Sequence, residues 1–343
     1  MPDFKNPTTL TLQVNKKIPA KRFLSSFFTP EYLLTHDAEI DVVEGSRTVA
    51  PFKREGGKST VSNRAGYGKA KVHCYEIDLK RHTNAFDVFQ VQPGEIPVNS
   101  GMSANQRANY ILGQDTFDLS NQIQRAIERM CSQAMFEGKY DILDEEGKKI
   151  DNIDFGLKET HGKTASTLWG SAGADVIGDL EYLDNIVGED SGATVTDKVF
   201  GSIAWSKARG DKNFMKDFDR IHVGGNSLDF SAGRNGLGAR LVGFHNGSRI
   251  WVYDEVYYVG NDKFNFVPKT KVLAISDSIA AKIKYGAVGN IKDGFFSAER
   301  FSRTYWDDDN EEQILQMKSR PLAVIQEIDA LAWMTVAAEP DQA

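Results

Sequence analysis

Between residues 45 and 71 the chain places Arg47, Lys53, Arg54, Lys58, Arg64, Lys69 and Lys71 against one acid, Glu55, among Gly56, Gly57, Gly66, Gly68, Ser59, Thr60, Ser62 and Asn63. A stretch so poor in apolar residues cannot bury enough surface to offset the entropy of its own ordering. It either waves in solvent or lies on something acidic. Strand-like runs flank it, Arg47–Phe52 and Lys71–Leu79, the second alternating through Val72, Cys74 and Glu76. The spacing predicts a long hairpin with a basic, glycine-rich tip, so the fold must project this segment rather than enclose it.

The rest of the chain has the opposite sign. With 41 basic and 48 acidic residues the net charge is -7. That balance excludes a sequence-specific DNA binder, whose footprint is a basic face. The uneven distribution gives residues 1–90 14 basic against 10 acidic side chains, and residues 299–343 4 against 10. The densest acids are Asp307, Asp308, Asp309, Glu311 and Glu312. At 343 residues the chain is expected to hold two domains, or one with large excursions. No apolar run reaches the roughly 18 residues of a membrane span, and Met1–Leu10 lacks the layout of a secretory signal. Two cysteines, Cys74 and Cys131, make no disulfide framework and fit a reducing compartment, so the expected setting is a soluble protein made in a cytoplasm.

Along the chain, residues 1–44 carry apolar residues without a steady period. Phe27, Phe28, Tyr32, Leu33 and Leu34 read either as anchors of an arm or as a segment packed on its own domain. The clearest helix is the stripe Leu119, Ile123, Ala126, Ile127, Met130, Ala134 and Met135, started by Asp115 or Asp118 and closed by Gly138. At about 20 residues it is a rod of roughly 30 Å. Weaker helices are expected over Asp175–Val187, ended by Gly188, and Thr196–Ala208, ended by Gly210. A meander follows: Ala239–His245 and Ser248–Val259 flank Asn246-Gly247, the residues favoured by a type I′ turn, and Lys263–Val267 and Lys271–Ser276 add strands. Pro321–Val336 is apolar and β-like. Helices followed by a meander predict an α+β class.

Searches for chemistry return little. Gly162-Lys163-Thr164 ends like a phosphate loop, but the required first glycine falls on Leu157. Gly233, Gly236 and Gly238 have the wrong spacing for a dinucleotide fingerprint and, with Arg234 and Asn235, read as a mobile loop. No Gly-x-Ser-x-Gly elbow occurs. The six histidines are scattered without metal-ligand spacing. Asp307–Asp309 lack the alternation and glycine of a calcium loop and read as a solvated acidic turn. In the basic hairpin only Phe52 and Tyr67 are available to stack on bases, a poor platform for single strands. The residues therefore predict neither an enzyme nor a cofactor or metal site.

The layout and several local runs resemble the lambda-type major capsid proteins of tailed bacteriophages, the lambda protein E family. The runs are Ala134-Met135-Phe136-Glu137-Gly138-Lys139-Tyr140, Ile153-Asp154-Phe155-Gly156, Trp169-Gly170-Ser171-Ala172, and Asp175 with Asp179-Leu180. Further on come Arg300-Phe301-Ser302-Arg303-Thr304-Tyr305-Trp306, Ser319-Arg320-Pro321-Leu322 and Ile328-Asp329-Ala330. Each is short; their joint order and spacing carry the resemblance across nearly the whole chain.

The resemblance implies the Hong Kong 97-type capsid fold. It implies an N-terminal arm at 1–44, an extended loop at 45–92, a peripheral domain with a long spine helix at 93–170 and 316–343, and an axial domain at 171–315. It further implies a shell subunit that forms hexamers and pentamers, encloses double-stranded DNA without reading its sequence, and works with decoration, scaffold or protease, and portal proteins. The setting implied is a virion assembled in a bacterial cytoplasm. An encapsulin compartment of the same fold is the alternative. On this reading Arg47, Lys53, Arg54, Lys58, Arg64, Lys69 and Lys71 contact a neighbouring subunit, Asp307, Asp308, Asp309, Glu311 and Glu312 offer the acidic partner surface, and Gly233, Arg234, Asn235, Gly236 and Gly238 form a loop near the axis. Relatives of the fold also make lysine–asparagine crosslinks from the extended loop. Nothing marks Lys53, Lys58, Lys69 or Lys71 as such a lysine.

Overall fold

Six strands, the central ones buried on both faces, build the centre of the molecule. In the computed structural model, which describes residues 19–43, 67–89, 103–143, 148–218, 237–290 and 294–339, these strands form a mixed sheet. Their order is Gly162–Thr164, Leu331–Thr335, Lys271–Ser276, Val195–Phe200, Ser248–Val252, Arg240–His245. Two neighbouring pairs are parallel, 162–164 with 333–335 and 197–200 with 249–252; the others are antiparallel. Because side chains alternate between faces, Val199, Trp251, Leu273 and Leu331 enter one core while Phe200, Ile250, Val272, Ala274 and Met334 enter another.

Five α-helices lie among the described residues: α1 (Ala85–Phe89), α2 (Ala104–Glu137), α3 (Val176–Ser191), α4 (Ser202–Gly210) and α5 (Lys212–Asp217). The first core is shared with Ile123, Ile127, Ala134 and Met135 of α2 and with Phe23 and Leu24 of the N-terminal segment. The second is shared with Leu180, Leu183 and Val187 of α3, Ala204 of α4 and Phe214 of α5. No helix among the described residues is long and apolar enough to cross a membrane. The class is α+β, as the sequence predicts.

Several boundaries differ from expectation. Helix α2 begins at Ala104, not near Asp115: Ser103 accepts from the Gln106 backbone N–H while the Gln106 side chain accepts from the Ser103 N–H, a capping box. Its 34 residues span about 51 Å at 1.5 Å per residue. Gly138 closes it with φ +66°, as predicted. Asp115 and Asp118 lie inside the helix and bind Arg81 instead of capping. Helix α3 is capped by Asp175, but it runs past Gly188 to Ser191 and stops at Gly192 with φ +75°.

The helix expected over Thr196–Ala208 is two elements. Val195–Phe200 is a central strand, Gly201 turns the corner, and α4 follows. A Cβ on Gly201 would sit 2.2 Å from the Pro268 carbonyl oxygen and 2.5 Å from that of Lys269. Only glycine permits this approach, which ends the strand where the helix begins. The strand expected over Ser248–Val259 also splits: it leaves the sheet after Val252, and Val256–Val259 pairs with Asp262–Asn265. Asn246 (φ +50°) and Gly247 (φ +80°) make the predicted turn. Gly162-Lys163-Thr164 is an edge strand, not a phosphate loop.

The smaller sheets build the rest. Thr29–Tyr32, Ala281–Tyr285 and Pro321–Ile325 form one of three strands. Phe301–Asp307, Glu312–Ser319 and Ile77–Thr83 form another. Asp37–Val43 and Tyr67–His73 make an antiparallel pair. The single strand expected over Lys71–Leu79 is therefore interrupted at Cys74–Glu76, its halves pairing with different partners. The strand expected at Arg47–Phe52 lies outside the described residues; the observed outgoing strand is Asp37–Val43.

Candidate functional site

The pair Asp37–Val43 and Tyr67–His73 is the root of the basic hairpin. Its register sets Asp37 opposite His73, Glu39 opposite Lys71, and Asp41 opposite Lys69. Asp37 on one strand meets Lys71 and His73 on the other, cross-strand contacts that help fix register. The Lys71 Nζ lies 2.7 Å from Asp37 Oδ2, and His73 Nδ1 2.7 Å from Asp37 Oδ1. These two partners hold the Asp37 carboxyl down at about 2, Lys71 contributing most. Lys71 is thus paired within its own subunit. The period-two run of acids at 37, 39 and 41 is the sequence signal that the motif search passed over.

Just beyond the root, the chain is clamped. Glu76 accepts from Lys318 Nζ at 2.6 Å and from Arg320 Nε at 2.7 Å and Nη2 at 2.5 Å. Burial raises this carboxyl, but the Lys318 and Arg320 bonds outweigh it and leave its pKa below the ordinary value. Arg320 also meets His36. Asp78 accepts from Gln316 Nε2 through both oxygens, at 2.8 and 2.7 Å, and Arg81 binds Asp115 at 2.7 Å. Residues 76–81, which follow the root, are therefore fixed to α2 and to Glu312–Ser319.

That last strand carries the acidic residues at its other end. Asp307 closes one strand, Glu312 opens the next, and Asp308–Glu311 form the turn, with Glu311 at φ +52°. Asp307 accepts from the Asn310 side chain at 3.0 Å and from the Asp309 backbone N–H at 3.2 Å, which lowers its pKa. Glu312 meets His82 Nδ1 at 2.8 Å. Asp308, Asp309 and Glu311 are exposed and make no ion pair among the described residues. Trp306 stands beside them, 59 % exposed. The structure thus brings all five predicted acids to one hairpin tip, three of them without an ion-pair partner among the described residues.

The N-terminal segment packs on its own domain where it is described. Phe23 is buried against Trp251 and Tyr253, with ring centroids 5.3 Å away in both cases. Glu128, fully buried on α2, accepts from the backbone N–H groups of Leu24 (2.6 Å) and Ser25 (3.0 Å) and from the Tyr253 hydroxyl (3.2 Å). Tyr32 and Leu34, further along, are exposed. Gly238 has φ +114° and sits against the Lys21 side chain, and Arg22 N–H donates to Leu237 O at 3.1 Å, so Leu237 and Gly238 lie beside the N-terminal segment. Arg47, Lys53, Arg54, Lys58, Arg64, Gly233, Arg234, Asn235 and Gly236 lie outside the described residues, as does the side chain of Lys69.

These groups make ionic and hydrogen-bonded contacts. Of the two thiols, burial pushes Cys74 up to about 11 and Cys131 well above its ordinary value, opposite to what an activated nucleophile needs.

The family model described as phage major capsid protein E matches residues 6–336. Among solved structures, the putative capsid protein of a prophage of E. coli CFT073 is similar over 96% of this chain and 97% of that one, with a TM-score of 0.70 and 14% identity. The mature capsid of bacteriophage PhiM1 follows with TM-score 0.56 and 12% identity, covering 95% of this chain and 90% of that one. The capsid of cyanophage P-SCSP1u gives 0.54 and 10%, over 94% and 90%. At these identities the solved structures establish a shared fold. A search of curated proteins returns no match.

Proposed function

Since the chain belongs to the phage major capsid protein E family and is a major capsid protein of a phage or prophage, we propose that it builds its shell by laying the basic hairpin of one subunit on the acidic hairpin tip of the next. Self-association follows from its being a capsid subunit. The finer arrangement is our reading: closed rings of six and five copies, joined into an icosahedral shell that encloses double-stranded DNA and is synthesised in a bacterial cytoplasm. Scaffold, portal and decoration proteins are its expected partners. The arm would end and the extended loop begin near Asp37, where pairing starts. The peripheral part would comprise α2 with Glu312–Ser319 and Pro321–Ile325, and the axial part the six-stranded sheet, Leu331–Thr335 included, with α3 to α5.

The observation that carries this reading is a mismatch of charge within one subunit. Residues 45–66 hold five bases and one acid, while Asp308, Asp309 and Glu311 face solvent unpaired. The root of the loop is self-neutralised through Asp37, Lys71 and His73, so the surplus lies beyond it. Surface ion pairs contribute only about 0–1 kcal/mol each. Repeated around a closed ring they act together, because each added subunit binds through contacts already held in place.

The test is deletion of residues 50–70. Electron microscopy after gel filtration should find polyhedral shells, rings or tubes for the intact chain, co-expressed with its scaffold where needed. The deletion should give a folded subunit that forms none. Normal shells from the deletion would remove the hairpin from the assembly.

A further inference from the structure

Two strands of the central sheet that run parallel, Gly162–Thr164 and Leu331–Thr335, must enter the sheet from the same edge. Each is preceded by a one-turn 3-10 segment, Glu159–His161 and Ile328–Ala330. Those two turns therefore lie side by side, and the C-terminal end of α3 packs over them. His161 comes from the first turn, Asp329 from the second and Asp190 from the last turn of α3.

The hydrogen bonds at His161 are incompatible with a neutral ring left to itself. The side chain is fully buried. Its Nδ1 lies 2.7 Å from the Leu331 carbonyl oxygen, which only accepts, so Nδ1 carries a proton and donates it. In the neutral ring Nε2 is then a bare lone pair. Yet Nε2 faces two carboxylates, Asp190 Oδ2 at 3.0 Å and Asp329 Oδ1 at 3.9 Å. Asp329 Oδ1 is itself buried without a hydrogen-bond partner. Three electron-rich atoms point at one spot.

Helix α3 sharpens the need for positive charge there. Its last turn contains no basic residue, so Asp190 adds to the negative end of the helix dipole instead of offsetting it. Lys158 offsets part of this from the solvent side: its Nζ lies 3.0 Å from Asp190 Oδ2 and 2.8 Å from Asp329 Oδ2. On Asp329 it takes the oxygen turned away from His161, leaving Oδ1 unanswered.

We propose that His161 Nε2, Asp190 Oδ2 and Asp329 Oδ1 bind a zinc ion, with water in the fourth position. The ligand atoms lie within 4.8 Å of one another. Zinc at about 2.0–2.1 Å from each nitrogen or oxygen ligand would set tetrahedral neighbours about 3.3 Å apart. The two separations from His161 Nε2, 3.0 and 3.9 Å, bracket that value. The Nδ1 bond to a backbone carbonyl is the outer contact that orients a metal-ligating histidine, and Lys158 on Asp329 Oδ2 orients the carboxylate in the same way. Imidazole among the ligands favours zinc over magnesium or calcium. The ion ties α3 to the two turns that start adjacent strands. The ligands are 29, 139 and 168 residues apart, so no spacing motif announces them.

Thermal unfolding of the full chain in EDTA and in zinc, with metal content measured after gel filtration, tests the site. One retained zinc per chain is expected. At zinc a hundredfold above its dissociation constant the unfolding equilibrium shifts about 100-fold toward the folded state. Asp329→Asn should weaken binding at least tenfold; Asp190→Asn serves should that variant fail to fold. Lys158→Met should weaken binding less than either ligand variant, since Lys158 orients a carboxylate without being a ligand. Identical unfolding in EDTA and zinc, with no retained metal, would overturn the proposal and leave a second proton on Nε2 as the charge that balances the cluster. Undiminished zinc in Asp329→Asn and Asp190→Asn would also overturn it, by putting the ion elsewhere.

Discussion

Glu128 joins segments more than a hundred residues apart in sequence, and it does so as a cap. The 3-10 turn Leu24–Phe27 has no side-chain cap of its own at Phe23. Its first two N–H groups would be orphaned in the core, and the Glu128 carboxylate accepts both, together with the Tyr253 hydroxyl. Burial pushes the Glu128 carboxyl above its ordinary range; the bonds from Ser25, Leu24 and Tyr253 pull the other way without reversing it. Glu128→Ala would leave two buried backbone donors unpaired. At about 1–3 kcal/mol for an unsatisfied buried group, it should cost roughly 3 kcal/mol in urea unfolding. The same variant should open residues 19–35 to limited proteolysis. Wild-type stability and protection would mean the arm is held by Phe23 and Leu24 packing alone.

The element scale shows which parts of the fold a sequence displays. Helix α2 was visible only where its stripe is buried, from Leu119 onward; residues 104–118 are largely polar, and the only start signal was Ser103 with Gln106 three residues later. Val195–Phe200 was misread because Val199, Phe200, Ile203 and Ala204 satisfy a helical period across a corner. The corner depends on the Gly201 approach to Pro268 and Lys269, a tertiary fact. The acidic tip was legible as composition, whereas the anchoring of the hairpin root at the opposite end of Glu312–Ser319 depends on Glu76 meeting Lys318 and Arg320 across more than 240 residues. That clamp has a pH signature. The Glu76 pKa is lowered on folding, so the stability it contributes is present above its unfolded value near 4.5 and is lost as pH falls through the folded value. Glu76→Gln should therefore lower stability by about 2 kcal/mol at pH 7, the scale of charge-assisted bonds in a partly buried site. It should also flatten the loss of stability below pH 4.5. A variant with the wild-type acid profile would show that the clamp is not what acid releases.

Over the whole molecule, the net charge of -7 conceals a basic segment at 45–71 and an acidic one at 307–312. Asp307 and Glu312 are engaged with Asn310 and His82, which leaves Asp308, Asp309 and Glu311 as the acids free to meet another copy. Reversing these three to lysine removes no ion pair among the described residues, so subunit stability should stay within about 0.5 kcal/mol. Assembly should fail, because each misplaced charge recurs at every equivalent contact in the shell. Trp306 stands exposed beside the tip, and under the proposed contact it is covered by the neighbouring copy, so salt alone should weaken assembly less than charge reversal does. At 1 M ionic strength the screening length is about 3 Å, which acts on exposed pairs and far less on covered ones. The decisive arm is the compensating one. Arg54, Lys58 and Arg64 reversed to glutamate should also abolish shells, and combining both sets of reversals in one chain should restore them. Restoration needs the two surfaces to meet each other; if the combined variant stays unassembled while both single sets remain folded, loop and tip have different partners in the shell.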